Sequence, residues 1–120
     1  MMYQILPHEK GDLLAIRVVG MLKEDDHENL GPLVQHRVDE YGQIDLFWEM
    51  DEGFVGWAEG GAWENFKFGA GHPSAFRKIA VVADEKWHPW MARAMDGLSD
   101  VEVEFFTLRH REAALAWIKA

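Results

Sequence analysis

At 120 residues the chain has the length of one domain, 1–120, able to bury roughly two thirds of its unfolded surface. It has no cysteine, which excludes a disulfide framework, a thiol nucleophile and thiolate metal ligands. Its 21 acids against 12 bases give a net charge of −9, which opposes a nucleic-acid partner because phosphates are repelled.

Residues 3–6, YQIL, read as a short strand ended by Pro7 and a turn through Gly11. Residues 12–20, DLLAIRVVG, read as a longer one, and the tight connection predicts an antiparallel hairpin. Leu14, Ile16 and Val18 share one face; Leu13, Ala15 and Arg17 share the other. From Glu24 to Tyr41 the period becomes helical, with Leu30, Leu33, Val34, Val38 and Tyr41 on one stripe. Acids crowd its first turns, where the helix dipole favours them. Pro32 predicts a kink or a restart, and Gly42 a stop. QIDLFWEM (43–50) alternates Ile44, Leu46, Trp48 and Met50 against Asp45, Phe47 and Glu49. A helix is predicted over about 59–71. RKIAVVAD (77–84) is an apolar run of the kind buried in parallel sheets. A second aromatic helix follows over about 88–96, started by Pro89. VEVEFFT (101–107) sends Val101, Val103 and Phe105 inward and Glu102, Glu104 and Phe106 outward. A last helix, about 109–119, carries Ala114, Leu115 and Ile118, with Trp117 at the edge of its stripe.

The order is ββαβαβαβα, an α/β domain. Three strands with one charged face argue for a two-layer arrangement, helices mainly on one face of a mostly parallel sheet and the other face largely solvated. The first strand is antiparallel on the edge. No apolar run approaches the roughly 18–20 residues that cross a bilayer. The start, MMYQILPHEKGD, lacks the layout of a signal peptide. The expectation is a cytoplasmic chain.

Chemistry-bearing clusters are sparse. Asp25, Asp26, His27 and Glu28 are adjacent on a helix, so their side chains diverge and do not form a metal site. His72, His88 and the other histidines lack zinc-site spacing, and no metal or cofactor is expected. Glu49, Asp51 and Glu52 lie at the carboxyl end of a parallel strand, a usual place for functional residues. They have no identifiable nucleophile or base beside them, and a solvated loop accounts for them better. No catalytic residue is assigned.

The stretch from Trp57 to Met95 is different. It holds four of the six tryptophans, and its charges sum to +1, whereas residues 1–56 carry 12 acids against 4 bases. Six of eleven glycines fall between Gly53 and Gly71, without the spacing of a phosphate-cradling loop. Trp63 and Phe66 share a helical face, as do Trp87 and Met91, with Trp90 beside them. Large aromatics at helical spacing are usually core; the alternative is a pocket between the two helices. Lys67 and Lys86 are placed to lie beside such a patch and hold an acyl carboxylate or lipid headgroup.

The strand ending in Gly20, then Glu24-Asp25-Asp26 and Pro32, carries a pattern continued by Gly56-Trp57, Trp63 with Lys67-Phe68, and His72. It goes on through Phe76-Arg77-Lys78-Ile79-Ala80-Val81-Val82, Asp84-Glu85-Lys86-Trp87, Trp90, Phe105-Phe106 and Glu112 to Ile118. This resembles the bacterial SpoIIAA-like family over essentially the whole chain. Those proteins are relatives of STAS domains and share a fold theme with CRAL-TRIO lipid carriers. The resemblance implies a βα superhelical sheet, no known catalysis, and a role in binding non-polar molecules or associating with membranes through mobile helices. Anti-sigma antagonists carry a phosphorylatable serine at the start of the helix after the third strand; here EMDEGFVGWAEGGAWENF has neither serine nor threonine.

The leading expectation is therefore a non-enzymatic domain that takes a small non-polar or lipid-like ligand on Trp57, Trp63, Phe66, Lys67, Trp87, Trp90 and Met91. Transient contact with the inner membrane surface goes with it. The alternative is a STAS-type protein-interaction module that meets a protein partner through its solvated strand face or first helix.

Overall fold

The computed structural model describes residues 3–6, 11–22, 24–54, 56–57, 76–89 and 101–120. Strand β1 (Tyr3–Ile5) pairs antiparallel with β2 (Leu13–Val18), Tyr3 opposite Val18, which is the predicted hairpin. Gly20 then turns the chain at a φ of 63°, a conformation other residues adopt reluctantly, into the short β3 (Met21–Leu22). Helix α1 (Glu24–Tyr41) runs through Pro32 as one element, without a restart. Gly42, at a φ of 83°, ends it and donates its N–H to Val38 at 2.7 Å. β4 (Ile44–Met50), β5 (Gly56–Trp57), β6 (Phe76–Val82), β7 (Glu102–Phe106) and α2 (Arg111–Lys119) follow. The helices expected at about 59–71 and 88–96 lie outside the described residues, apart from the start of the second at His88 and Pro89.

The main sheet has the order β1-β2-β4-β6-β7, with every pair after the first parallel. Each strand after the hairpin is added on the same side, as the alternation of strands and helices predicts. β3 and β5 form a separate parallel pair, Leu22 opposite Trp57. At two residues each, they are too short for periodicity to reveal.

One core lies under α1. Leu14, Ile16, Val18, Leu46, Trp48, Met50, Ile79 and Val81 are buried there, with Leu33 and Val38 of α1 packed on them. Phe76 joins this face because β6 is irregular. Ile44 faces Phe76 but Leu46 faces Ile79, so Arg77 and Lys78 occupy the interval that Asp45 alone occupies on β4. Strict alternation would have put Phe76 on the other side.

The second face departs from expectation. Leu13, Ala15, Phe47, Ala80, Val82, Ala114 and Ile118 form a second buried cluster, so the face expected to be largely solvated carries α2. Of the two described helices, one lies on each side of the sheet. The physical reason is local: three alanines let the helix approach closely, and the charges on this face are neutralised by arginines (below), so they do not mark solvent. β4 is consequently buried along its whole length, Asp45 and Glu49 included. β7 also differs. Phe105, expected inward, is 36% exposed, whereas Phe106, expected outward, packs in the second cluster with its ring 6.2 Å from that of Trp117.

Candidate functional site

Two groups of side chains converge beyond the carboxyl ends of the parallel strands. The first is aromatic. After β4 the backbone makes a tight turn: Phe54 N–H donates to the Asp51 carbonyl at 2.9 Å, and Gly53 N–H donates to Asp51 Oδ2 at 3.1 Å. The turn is tied to the hairpin by Asp51 N–H to the Val18 carbonyl (2.9 Å) and Gly20 N–H to the Gly53 carbonyl (3.2 Å). It delivers Phe54 into the α1-side core, where it is buried. β5 starts two residues later, which brings the Trp57 backbone to this end of the sheet.

After β6 a second tight turn does the same. Asp84 Oδ1 accepts from Lys86 N–H at 3.1 Å, and Trp87 N–H donates to the Asp84 carbonyl at 2.9 Å, forming one 3₁₀ turn over Glu85–Trp87. His88 Nε2 lies 3.1 Å from the Ala83 carbonyl and 3.3 Å from that of Phe106, so its N–H ties this turn to the end of β7. Its ring also stands against exposed Phe105, centroids 5.5 Å apart. Thus held, Trp87 meets Phe54 edge-to-face, centroids 5.0 Å apart at 70°. The indole is half-buried: its inner part belongs to the core and the rest faces outward. Lys86 Nζ lies over the same ring, 5.6 Å from its centroid.

The second group is ionic and sits on the α2 side. Arg17 and Glu49 are opposite each other in the β2–β4 register. Glu49 is 5% exposed; its Oε1 accepts from Arg111 Nε at 2.8 Å, and its Oε2 is 3.8 Å from Arg17 Nε. Arg17 also donates to Asp51. The Arg17 hydrogen bond, helped by the Gly53 N–H, holds the Asp51 carboxyl below the usual carboxylate range, and the same bond raises the Arg17 guanidinium. The Arg111 guanidinium covers the Phe47 ring at 5.8 Å. At the far end of α2, Lys78 Nζ reaches the carbonyls of Trp117 (3.4 Å) and Ala120 (3.3 Å). Arg77 joins Asp12 and Asp45 at the opposite rim of the sheet.

Of the seven residues expected to bind a ligand, the structure thus places the Trp57 backbone and Trp87 at one end of the sheet. Trp63, Phe66, Lys67, Trp90 and Met91 lie outside the described residues. Phe54, which the sequence reading left out, is the residue Trp87 packs on. Its only sequence signal is its place four residues beyond β4. The ion network was likewise missed: Arg17, Glu49 and Arg111 are separated by 32 and 62 positions, and only the fold unites them. Among the described residues no three or more His, Asp and Glu gather as a metal site, and no helix is long and apolar enough to cross a membrane.

A family model described as SpoIIAA-like matches residues 13–119. The chain belongs to the SpoIIAA-like family. Membership makes it a STAS-type module, a class that is generally non-enzymatic. The solved structure of an uncharacterized protein with a SpoIIAA-like fold from Shewanella loihica PV-4 is similar to this SpoIIAA-like chain. Its TM-score is 0.72 at 23% identity, over 97% of this chain and 93% of that one. At that identity the likeness concerns the fold alone. No curated protein matches the chain.

Proposed function

We propose that this SpoIIAA-like domain is a non-enzymatic module that binds a small non-polar or lipid-like ligand beyond the carboxyl ends of β4 and β6. The observation that carries the reading is the Phe54–Trp87 pair: an edge-to-face contact anchored in the core that leaves part of a large indole outward-facing. Open α/β sheets bind ligands at this end of their strands. Trp57 arrives at the same end on β5. The proposed site extends to Trp63, Phe66, Lys67, Trp90 and Met91 on the sequence argument, and peripheral contact with a membrane through these aromatics belongs to the same proposal.

The rim carboxylates support a non-catalytic reading. Asp51 is held ionised by Arg17, and Glu49 is hydrogen-bonded to Arg111, so each is committed to an arginine and poorly placed to exchange protons with a substrate. The alternative, a protein-interaction module, is favoured by one observation: Phe105 stands exposed on β7, the outer strand of the sheet.

Native mass spectrometry of the protein as expressed in bacteria, before and after organic extraction and reloading with long-chain fatty acids, tests the ligand reading. A bound small molecule that extraction removes and Trp87→Ala diminishes is the expected result. A chain that carries and takes up nothing refutes it.

A further inference from the structure

We infer that the ligand is an amphiphile with an anionic end, and that Lys86 is the residue that selects it. The inference rests on the proposed ligand site and assigns its polar end.

Lys86 is exposed, yet its ammonium is not placed at random. Nζ lies over the Trp87 indole, 5.6 Å from the centroid, beside a ring that is only partly buried. The 3₁₀ turn sets the two residues side by side. Its capping bond from Lys86 N–H to Asp84 Oδ1, and the Trp87 N–H bond to the Asp84 carbonyl, set both side chains off one rigid turn. Among the described residues Lys86 has no acidic side chain within ion-pairing range. Asp84 and Glu85 adjoin it in sequence; Asp84 is engaged by the Lys86 backbone, and Glu85 is exposed at the start of the turn. An ammonium beside an aromatic face keeps N–H donors for the oxygens of an anionic group. An apolar chain lying along Trp87 would bring its terminal group beside that charge. A carboxylate there gains a charge-assisted contact, and a neutral terminus does not.

The test compares a saturated sixteen-carbon fatty acid with its methyl ester, matched in chain length and different in charge. Each is titrated calorimetrically below its solubility limit against wild type, Lys86→Met and Lys86→Glu, with thermal melts to establish that the variants fold. Wild type is expected to prefer the acid by roughly five- to tenfold. Lys86→Met should lose that preference while ester affinity stays within about twofold, and Lys86→Glu should invert it. Equal binding of acid and ester by wild type, or a preference that persists in Lys86→Met, overturns the role of Lys86 and leaves the non-polar site standing. Binding of neither compound overturns the ligand reading and this inference with it.

Discussion

Arg111→Met provides a direct measure of what holds α2 against the sheet. Glu49 is 5% exposed, and among the described residues Arg111 is its one hydrogen-bonded cation, at 2.8 Å; Arg17, at 3.8 Å, is beyond hydrogen-bond range. Removing one partner of a buried ion pair costs about 3–5 kcal/mol because a charge is left unpaired in poor solvent. The Arg111 side chain is itself 36% exposed, so water enters the vacated space and Arg17 remains nearby; about 2–3 kcal/mol is expected. Methionine keeps an apolar stem over Phe47, so the loss is chiefly electrostatic. With an unfolding entropy of about 2.1 cal/mol/K per residue, a chain of this length loses roughly 8–12 °C in Tm. Urea unfolding followed by tryptophan fluorescence and circular dichroism gives the free energy, with coincident transitions required. The double variant Glu49→Leu/Arg111→Met removes both charges and should recover most of the loss, because Arg17 keeps Asp51. A single variant within about 0.5 kcal/mol of wild type would show that Glu49 is hydrated. A double variant less stable than the single would refute the unpaired-charge argument.

Two other changes probe neighbouring parts of the frame. Asp51 is held below its ordinary range, first by the Arg17 hydrogen bond and then by the Gly53 N–H. A depressed folded value gives stability that is present above the unfolded value of about 3.9 and is lost as pH falls through the folded one. Asp51→Asn should therefore cost about 0.5–1 kcal/mol at neutral pH, allowing for solvent screening, and flatten the fall in Tm on acidification; identical acid limbs in the two proteins would contradict this. Gly42→Ala forces a side chain into the left-handed conformation that ends α1, and should lower the unfolding free energy by about 1 kcal/mol, seen as a lower urea midpoint with an unchanged slope.

The parts of the fold written in local pattern were legible. The hairpin, α1 with its stop at Gly42, the outward order of the parallel strands and the C-terminal helix all follow from periodicity and turn chemistry. What was not legible depended on distant pairing. Asp45 and Glu49 look like solvent markers in a sequence, and they are buried because arginines from β2, β6 and α2 reach them. Phe76 changes face because of an extra residue opposite Asp45, which no alternation rule anticipates. Phe105 and Phe106 are adjacent aromatics, and sequence pattern gives little basis for deciding which of them Trp117 covers. At the candidate site, Trp87 was marked by its aromatic setting, whereas Phe54 carried no signal beyond following a strand.

The two groups beyond the strand ends share one short piece of chain, and that sharing bears on how the proposed site works. Asp51 faces the α2 side, where it takes the Arg17 guanidinium; Phe54, three residues on, faces the α1 side, where it supports Trp87. Between them the backbone is bonded to itself and to Val18 and Gly20. A ring supported on so constrained a turn loses little conformational freedom when a ligand covers its neighbour, and such preorganisation raises affinity without adding contacts. Weakening the ionic group at Asp51 should then loosen Phe54, whose N–H is bonded to the Asp51 carbonyl, and reduce uptake of a non-polar ligand. If Asp51→Asn lowers stability but leaves affinity for the fatty-acid methyl ester unchanged, the turn is merely a structural tie, and the aromatic end owes its rigidity to the core beneath it.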